Sequence, residues 1–162
     1  MGMDIAFWVL AVVSVASALA VVLTRDLFRA ALFLVLCFFT VAGIYATLSA
    51  DFLAGAQVLI YVGAIGVFII FAIMLTRDSR QGSPSGRLRL PALFIGFLFL
   101  ATMIFALVNT DWNIVAEVPT ESTTSAIANA LFGEDGFVLA FEIAAALMLA
   151  AVIGAIVLVR DK

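Results

Sequence analysis

Histidine is absent from this 162-residue chain, and cysteine occurs once, at Cys37. A disulfide within the chain is therefore excluded, and so are histidine-ligated haem, Cys/His zinc sites and four-cysteine iron–sulfur clusters. Charge is scarce as well, because only 12% of the residues are Asp, Glu, Lys or Arg, against about a quarter in soluble domains. We therefore expect neither a redox centre nor a nucleic-acid-binding surface in this chain.

Apolar residues make up 66% of the chain, and its mean hydropathy is +1.29. This composition excludes a soluble globular domain and a disordered tail. Five stretches approach the roughly 20 apolar residues that a membrane-spanning helix needs: about residues 5–23, 27–48, 52–75, 90–108 and 137–159. Because they are continuously apolar and not alternating, they predict helices, not barrel strands. The prediction is an all-α polytopic membrane protein with five transmembrane helices, in which residues 1–162 form one integral membrane domain.

The basic residues are confined to one set of flanks of these spans. The loops after the first and third spans and the C-terminus contain all eight, namely Arg25, Arg29, Arg77, Arg80, Arg87, Arg89, Arg160 and Lys162. The N-terminus and the loops after the second and fourth spans contain none and are acidic. The positive-inside rule therefore predicts a cytoplasmic C-terminus and an external N-terminus.

Two connections between spans are long. Residues 76–89 are polar and basic and are predicted to be a flexible cytoplasmic loop, whereas residues 109–136 are acidic and are predicted to lie outside. Within this outer loop, residues 120–132 predict a short helix, because threonines precede an apolar run and can cap it. Asp51 precedes the third span and is expected to cap that helix.

The third span is the most unusual segment, because it combines polar side chains with glycines. Gln57 and Tyr61 are four residues apart and so share one helix face, and Gly55, Gly63 and Gly66 interrupt the span. One interpretation is that the glycines only allow close helix packing. The other is a locally irregular helix, with a π-bulge or hinge near residues 61–66, at which Gln57 and Tyr61 bond water or freed carbonyls.

Few ionisable residues lie within a span, and Glu142 is one of them, about five residues into the fifth. An unpaired carboxylate is unfavourable there, so we expect it to be protonated, paired or hydrated. The alternative is a structural role near the outer interface, in which Glu142 bonds a neighbouring subunit or a helix end.

Three stretches resemble subunit J of bacterial NADH–quinone oxidoreductase (complex I), the counterpart of mitochondrial NADH dehydrogenase subunit 6. They are QVLIYVGAIGV in the third span, LFGEDGFVLAFEIAAALMLAAVIGAI at the fifth, and FWVLAVVSVASALAVVLTRDLFRAALFLVL over the first two. The resemblance implies five membrane helices with the N-terminus outside the bacterial cytoplasmic membrane. It also implies that the chain carries no flavin, iron–sulfur cluster or quinone, which belong to partner subunits, and no complete active site of its own.

The resemblance further implies a role in coupling quinone reduction to proton translocation. The subunit is expected between the quinone-binding membrane subunit and the antiporter-like subunits, beside the small subunit K. Its third helix is expected to hold a π-bulge from Tyr61 to about Phe68, whose conversion to α-helix opens or closes a water path. The positions carried over are Tyr61, Gly63 and Gly66 for the bulge and Glu142 for the acid in the fifth helix. At Gln57 some members have glutamate, and because glutamine cannot release a proton, Gln57 is expected only to orient water.

Two alternatives stay open at this point. The chain is also compatible with the equivalent subunit of a related cation/proton antiporter or membrane-bound hydrogenase complex. A purely structural membrane scaffold differs only in that its third helix would not act as a gate.

Overall fold

The computed structural model describes residues 2–76, 89–112, 123–133 and 136–160. This part of the chain is helical and contains no strand. Its helices are α1 (Gly2–Leu23), α2 (Leu27–Thr47), α3 (Asp51–Leu75), α4 (Arg89–Asn109), α5 (Thr123–Phe132) and α6 (Val138–Val159). All except the short α5 are long and apolar enough to cross a membrane. The prediction of an all-α membrane protein with five spans is thus confirmed.

A short turn folds α1 and α2 into a helical hairpin. Asp26 is the N-cap of α2, where its carboxylate accepts hydrogen bonds from the backbone N–H groups of Phe28 at 3.0 Å and Arg29 at 3.2 Å. These bonds satisfy donors that have no partner in the first turn of a helix. The cap therefore fixes where α2 begins.

The turn between α2 and α3 closes α2 with a Schellman motif. Ala50 donates its backbone N–H to Tyr45 O at 2.9 Å and Ser49 donates to Ala46 O at 3.2 Å. Ser49 has φ 59°, in the left-handed region that usually favours glycine. The expectation that Asp51 caps α3 was wrong, because Asp51 is the first residue of the helix and Ala50 holds the cap position without a side-chain bond.

Helix α3 changes its winding twice. Asp51–Ala56 is α-helical, Gln57–Gly66 is π-helical, and Val67–Leu75 is α-helical again. The irregularity of the third span is confirmed, but it begins at Gln57 and not at Tyr61. It ends at Gly66, as the residue pattern indicated, and not near Phe68, as the resemblance implied. We call Gln57–Gly66 the π segment.

The tightest packing lies between α1 and α2 and uses small residues. Ser17, Ala31, Thr40 and Ala42 are each at most 4% exposed. The hydroxyls of Ser17 and Thr40 bond within their own helices, to Ser14 O at 2.9 Å and Cys37 O at 2.8 Å. Small side chains with satisfied hydroxyls let helix backbones approach closely in a membrane. The result is a firm hairpin, against whose α2 face the whole of α3 packs.

The last two long helices are not part of this packed unit. Among the described helices α4 packs against none, and α6 packs only against α5. That contact includes an edge-to-face pair between Phe132 and Phe141, with ring centroids 4.9 Å apart. Thr102 and Asn109 of α4 bond to carbonyls of their own helix, to Leu98 O at 2.8 Å and Phe105 O at 3.1 Å. Both helices therefore present apolar surface on nearly every side, which lipid or other chains must cover.

The two predicted loops lie partly outside the described residues. This is the case for 77–88 of the predicted cytoplasmic loop 76–89, and for 113–122 and 134–135 of the predicted outer loop 109–136. The described part of the outer loop contains α5, at Thr123–Phe132. A short helix was predicted there, over residues 120–132.

Candidate functional site

The candidate site is the π segment and the face of α2 that it contacts. Four of the five residues singled out in the sequence lie on the segment: Gln57, Tyr61, Gly63 and Gly66. In a π-helix each backbone N–H bonds to the carbonyl five residues back, and such segments occur often at functional sites. A ten-residue π segment in the middle of a membrane span is a long irregularity, since most are single-turn bulges.

Two side chains of the π segment meet at one residue of α2. Gln57 is half-buried and donates through Nε2 to Phe38 O at 3.5 Å, at the long end of hydrogen-bond distances. The ring of Tyr61 lies edge-to-face against the ring of Phe38, with centroids 5.5 Å apart and planes inclined by 71°. Gln57 and Tyr61 thus approach the same α2 residue, one at its carbonyl and the other at its ring.

The two glycines of the π segment differ in their surroundings. Gly66 is buried, and a Cβ there would lie 2.9 Å from Val35 Cγ2 and 3.2 Å from Tyr61 O. Gly63 is exposed, and a Cβ there would lie 3.3 Å from Val58 O. The structure therefore agrees with both interpretations of the glycines. Gly66 allows close packing on α2, and Gly63 and Gly66 both lie in the irregular winding.

The carbonyls next to the two glycines lie five residues earlier in the chain. Val58 lies five residues before Gly63, and Tyr61 lies five residues before Gly66. A Cβ at Gly63 would approach the Val58 carbonyl, and a Cβ at Gly66 would approach the Tyr61 carbonyl as well as Val35 Cγ2. This five-residue spacing is that of π-type bonding, and both glycines lie in the π-wound part of the helix. The residue pattern placed the irregularity near residues 61–66, and the resemblance placed it from Tyr61 to about Phe68, so both missed its first four residues.

A cleft of about 350 Å³ lies beside the start of the π segment. Its walls come from all three packed helices, with Leu10 of α1, Gly43 and Ala46 of α2, and Gly55 and Val58 of α3. A Cβ on Gly55 would meet no atom within 4 Å. The α3 backbone therefore has free space on one side and the α2 contact on the other.

Glu142 is not brought to this site. It lies in α6 with an exposed side chain, and among the described helices α6 packs only against α5. The role of Glu142 stays a prediction.

Phe38 and Val35, in contrast, belong to the site but were not singled out. The sequence holds 15 phenylalanines, and no spacing distinguishes Phe38 from the others.

Chemically, the site offers neutral groups that can order water. The Gln57 amide and the Tyr61 hydroxyl each donate and accept hydrogen bonds, and Tyr61 is 45% exposed. Neither needs to carry a fixed charge in a low-dielectric environment, where charges are costly. The fold and the site together define a polytopic helical membrane protein whose third span has an irregular, polar middle.

Comparison with known proteins identifies the family. The sequence profile of NADH-ubiquinone/plastoquinone oxidoreductase chain 6 matches residues 17–158. The chain is 40% identical over 160 residues to F(420)H(2) dehydrogenase subunit J of Methanosarcina mazei, covering 96% of this chain and 90% of that protein. It is also 40% identical over 161 residues to NAD(P)H-quinone oxidoreductase chain 6 of Leptolyngbya boryana, covering 98% and 80%.

The corresponding chain of Synechocystis sp. is 39% identical over 164 residues, covering 96% and 80%. The chain therefore belongs to the NADH-ubiquinone/plastoquinone oxidoreductase chain 6 family. It is an integral membrane subunit of a multi-subunit oxidoreductase, and other subunits of that complex are its partners. The recognised resemblance to this family is confirmed.

Proposed function

We propose that this chain is a non-redox membrane subunit of a proton-pumping NADH–quinone oxidoreductase. In this proposal α3 couples quinone reduction to proton translocation by changing between π and α winding, and so opens or interrupts a water path. The observation that carries the proposal is the ten-residue π segment with Gln57 and Tyr61 on it, in the middle of a membrane span.

A helix segment that can wind in two ways is a two-state element. Conversion of the π segment to α-helix turns the residues after it about the helix axis, because an α-helix advances 100° per residue and wider winding advances less. Side chains that order water on one side of the helix then leave it. Such discrete rearrangements can transmit coupling between distant sites. The cleft beside Gly55 and Val58 supplies space for the backbone to rewind.

The complex supplies everything that this chain lacks. Flavin, iron–sulfur clusters and quinone belong, in this proposal, to partner subunits. The neighbours are the quinone-site subunit, the small subunit K and the antiporter-like subunits, which cover the apolar faces of α4 and α6. The complex lies in the bacterial cytoplasmic membrane, with the N-terminus outside and the C-terminus in the cytoplasm, as the distribution of basic residues favours.

The identity to F(420)H(2) dehydrogenase subunit J favours a second candidate, the same coupling role in a complex with another electron donor. Oxidation of NADH and of reduced F420 by membranes that contain the complex distinguishes the two. An antiporter or hydrogenase complex would use neither donor. A scaffold role predicts that α3 can be immobilised without effect on pumping.

The experiment that tests the proposal immobilises α3 on α2. A Cβ at Gly66 would lie 4.0 Å from Val35 Cβ, within the range of about 3.5–4.5 Å that disulfides require. Val35→Cys with Gly66→Cys, in a Cys37→Ala background that removes the single native thiol, should therefore form a cross-link when α3 has the π winding. We expect oxidation to lower NADH-driven proton pumping in inverted membrane vesicles, and a reductant to restore it.

The controls separate the cross-link from the substitutions. Each single cysteine variant, treated with the same oxidant, should pump at the same rate before and after treatment. Native gels show that the complex is assembled in every sample. The switching role of α3 would be refuted if a fully cross-linked complex pumped as fast as the same complex after treatment with the reductant. The scaffold role would then remain.

A further inference from the structure

The contact between α2 and the π segment is concentrated on one residue. Phe38 accepts the Gln57 amide at its carbonyl and packs its ring edge-to-face on Tyr61. Its side chain is half-buried. Val35, one turn earlier on the same face of α2, closes against Gly66 at the other end of the π segment. The α2 face thus touches the beginning, the middle and the end of the segment.

We propose that Phe38 is a positioning residue that holds α3 in its π winding; its importance for the complex rests on the proposed function of α3 as a switch. Phe38 takes no part in proton transfer. It acts by making two contacts that fit one winding of α3, so that its loss changes how often the π segment forms.

The two contacts select the winding because they fix an angle. In an α-helix, residues four apart are displaced by about 40° around the axis, since four steps of 100° exceed one turn. In a π-helix a turn holds more than four residues, so the same two residues fall short of a full turn. Rewinding therefore moves Tyr61 around the axis relative to Gln57. The carbonyl and the ring of Phe38 cannot keep both partners unless Phe38 itself moves.

Phe38 is not free to follow. Its helix packs closely on α1, whose Ser17 is 3% exposed, and Thr40 of α2 is itself 3% exposed. Cys37 also reaches across this interface, with Sγ 3.8 Å from Ser14 O. Close-packed interfaces of this kind have few alternative arrangements. The α1–α2 hairpin therefore presents Phe38 to α3 as a fixed surface.

The test uses the Val35→Cys/Gly66→Cys pair in the Cys37→Ala background as a reporter of the π winding. The rate of disulfide formation is measured in membranes that contain the whole complex. Replacement of Phe38 by leucine or methionine removes the ring and should slow cross-linking about 2- to 10-fold, the range that an aromatic pair contributes. Phe38→Tyr keeps the ring and should cross-link at the rate of the parent. Methionine is unbranched and adapts to irregular gaps, so it is the second variant to use if the leucine variant does not assemble.

Phe33→Leu is the matched control. Phe33 also lies on α2, is 36% exposed and is not among the aromatic pairs of the described residues. The proposal is overturned if Phe38→Leu and Phe38→Met cross-link at the parent rate, or if Phe33→Leu slows cross-linking equally. Because this readout is a disulfide rate, it is independent of pumping. A cross-linked complex that pumps at the normal rate would refute the proposed switch. The role of Phe38 in holding the π winding would still be decided by the cross-linking rates.

Discussion

One methyl group added at Gly66 is expected to disturb the contact that keeps the π segment on α2. In Gly66→Ala the new Cβ would lie 2.9 Å from Val35 Cγ2 and 3.2 Å from Tyr61 O. Carbon atoms pack best at about 3.5–4.0 Å, so the methyl pair is about 0.6–1.1 Å too close. Val35 is β-branched and has few rotamers with which to move its methyl group away. The strain must therefore separate α3 from α2 or change the winding.

The size of the effect follows from two opposing contributions. Overpacking of this kind costs about 1–3 kcal/mol, and alanine recovers about 0.5–1 kcal/mol over glycine because it loses less backbone freedom in a helix. The difference is about 0–2.5 kcal/mol, and a value near the middle, about 1 kcal/mol, changes a two-state equilibrium about 5-fold. Since alanine favours α-helix, we expect the α winding to gain at the expense of the π winding.

The assay compares proton pumping and quinone reduction in membrane vesicles, normalised to the amount of assembled complex on native gels. Gly66→Ala should pump several-fold more slowly, and Val35→Ala in the same chain should recover much of the loss because it removes Cγ2. Gly55→Ala is the control, since no atom lies within 4 Å of its added methyl. If Gly66→Ala matches Gly55→Ala, or if Val35→Ala gives no recovery, the packing explanation is refuted.

Two further substitutions test the segment away from its α2 contact at Gly66. Gly63→Val places a branched side chain where a Cβ is already 3.3 Å from Val58 O, and should lower pumping while the complex still assembles; wild-type pumping by the assembled variant would contradict a gating role. Tyr61→Phe keeps the ring contact with Phe38 and loses only the hydroxyl, so its pumping rate should fall less than that of Gly63→Val; an equal or larger loss would assign the main role to the hydroxyl.

The third span shows how far sequence patterns reach. Glycines and polar residues in an otherwise apolar run left two interpretations open, close packing or an irregular helix. The family resemblance implied the irregular helix, and the structure has one. The start of the π segment at Gln57 was not predicted, because no residue pattern in the apolar run marks where the winding changes. Phe38 was not predicted either, because its role depends on Gln57 and Tyr61, which are close in space but distant in the sequence. No spacing distinguishes Phe38 from the other phenylalanines of this chain.

The sequence by itself determined that this is a five-span helical membrane protein without histidine and with a single cysteine. Helices in a bilayer need only length and apolarity, and both are local properties. Only the tertiary structure decided that Gln57 and Tyr61 meet at Phe38, that Gly66 lies against Val35, and that Glu142 lies apart from them in the described part of the chain. These are relations between helices. In an apolar solvent, where hydrophobicity no longer marks the contact face, close packing and a few hydrogen bonds select them.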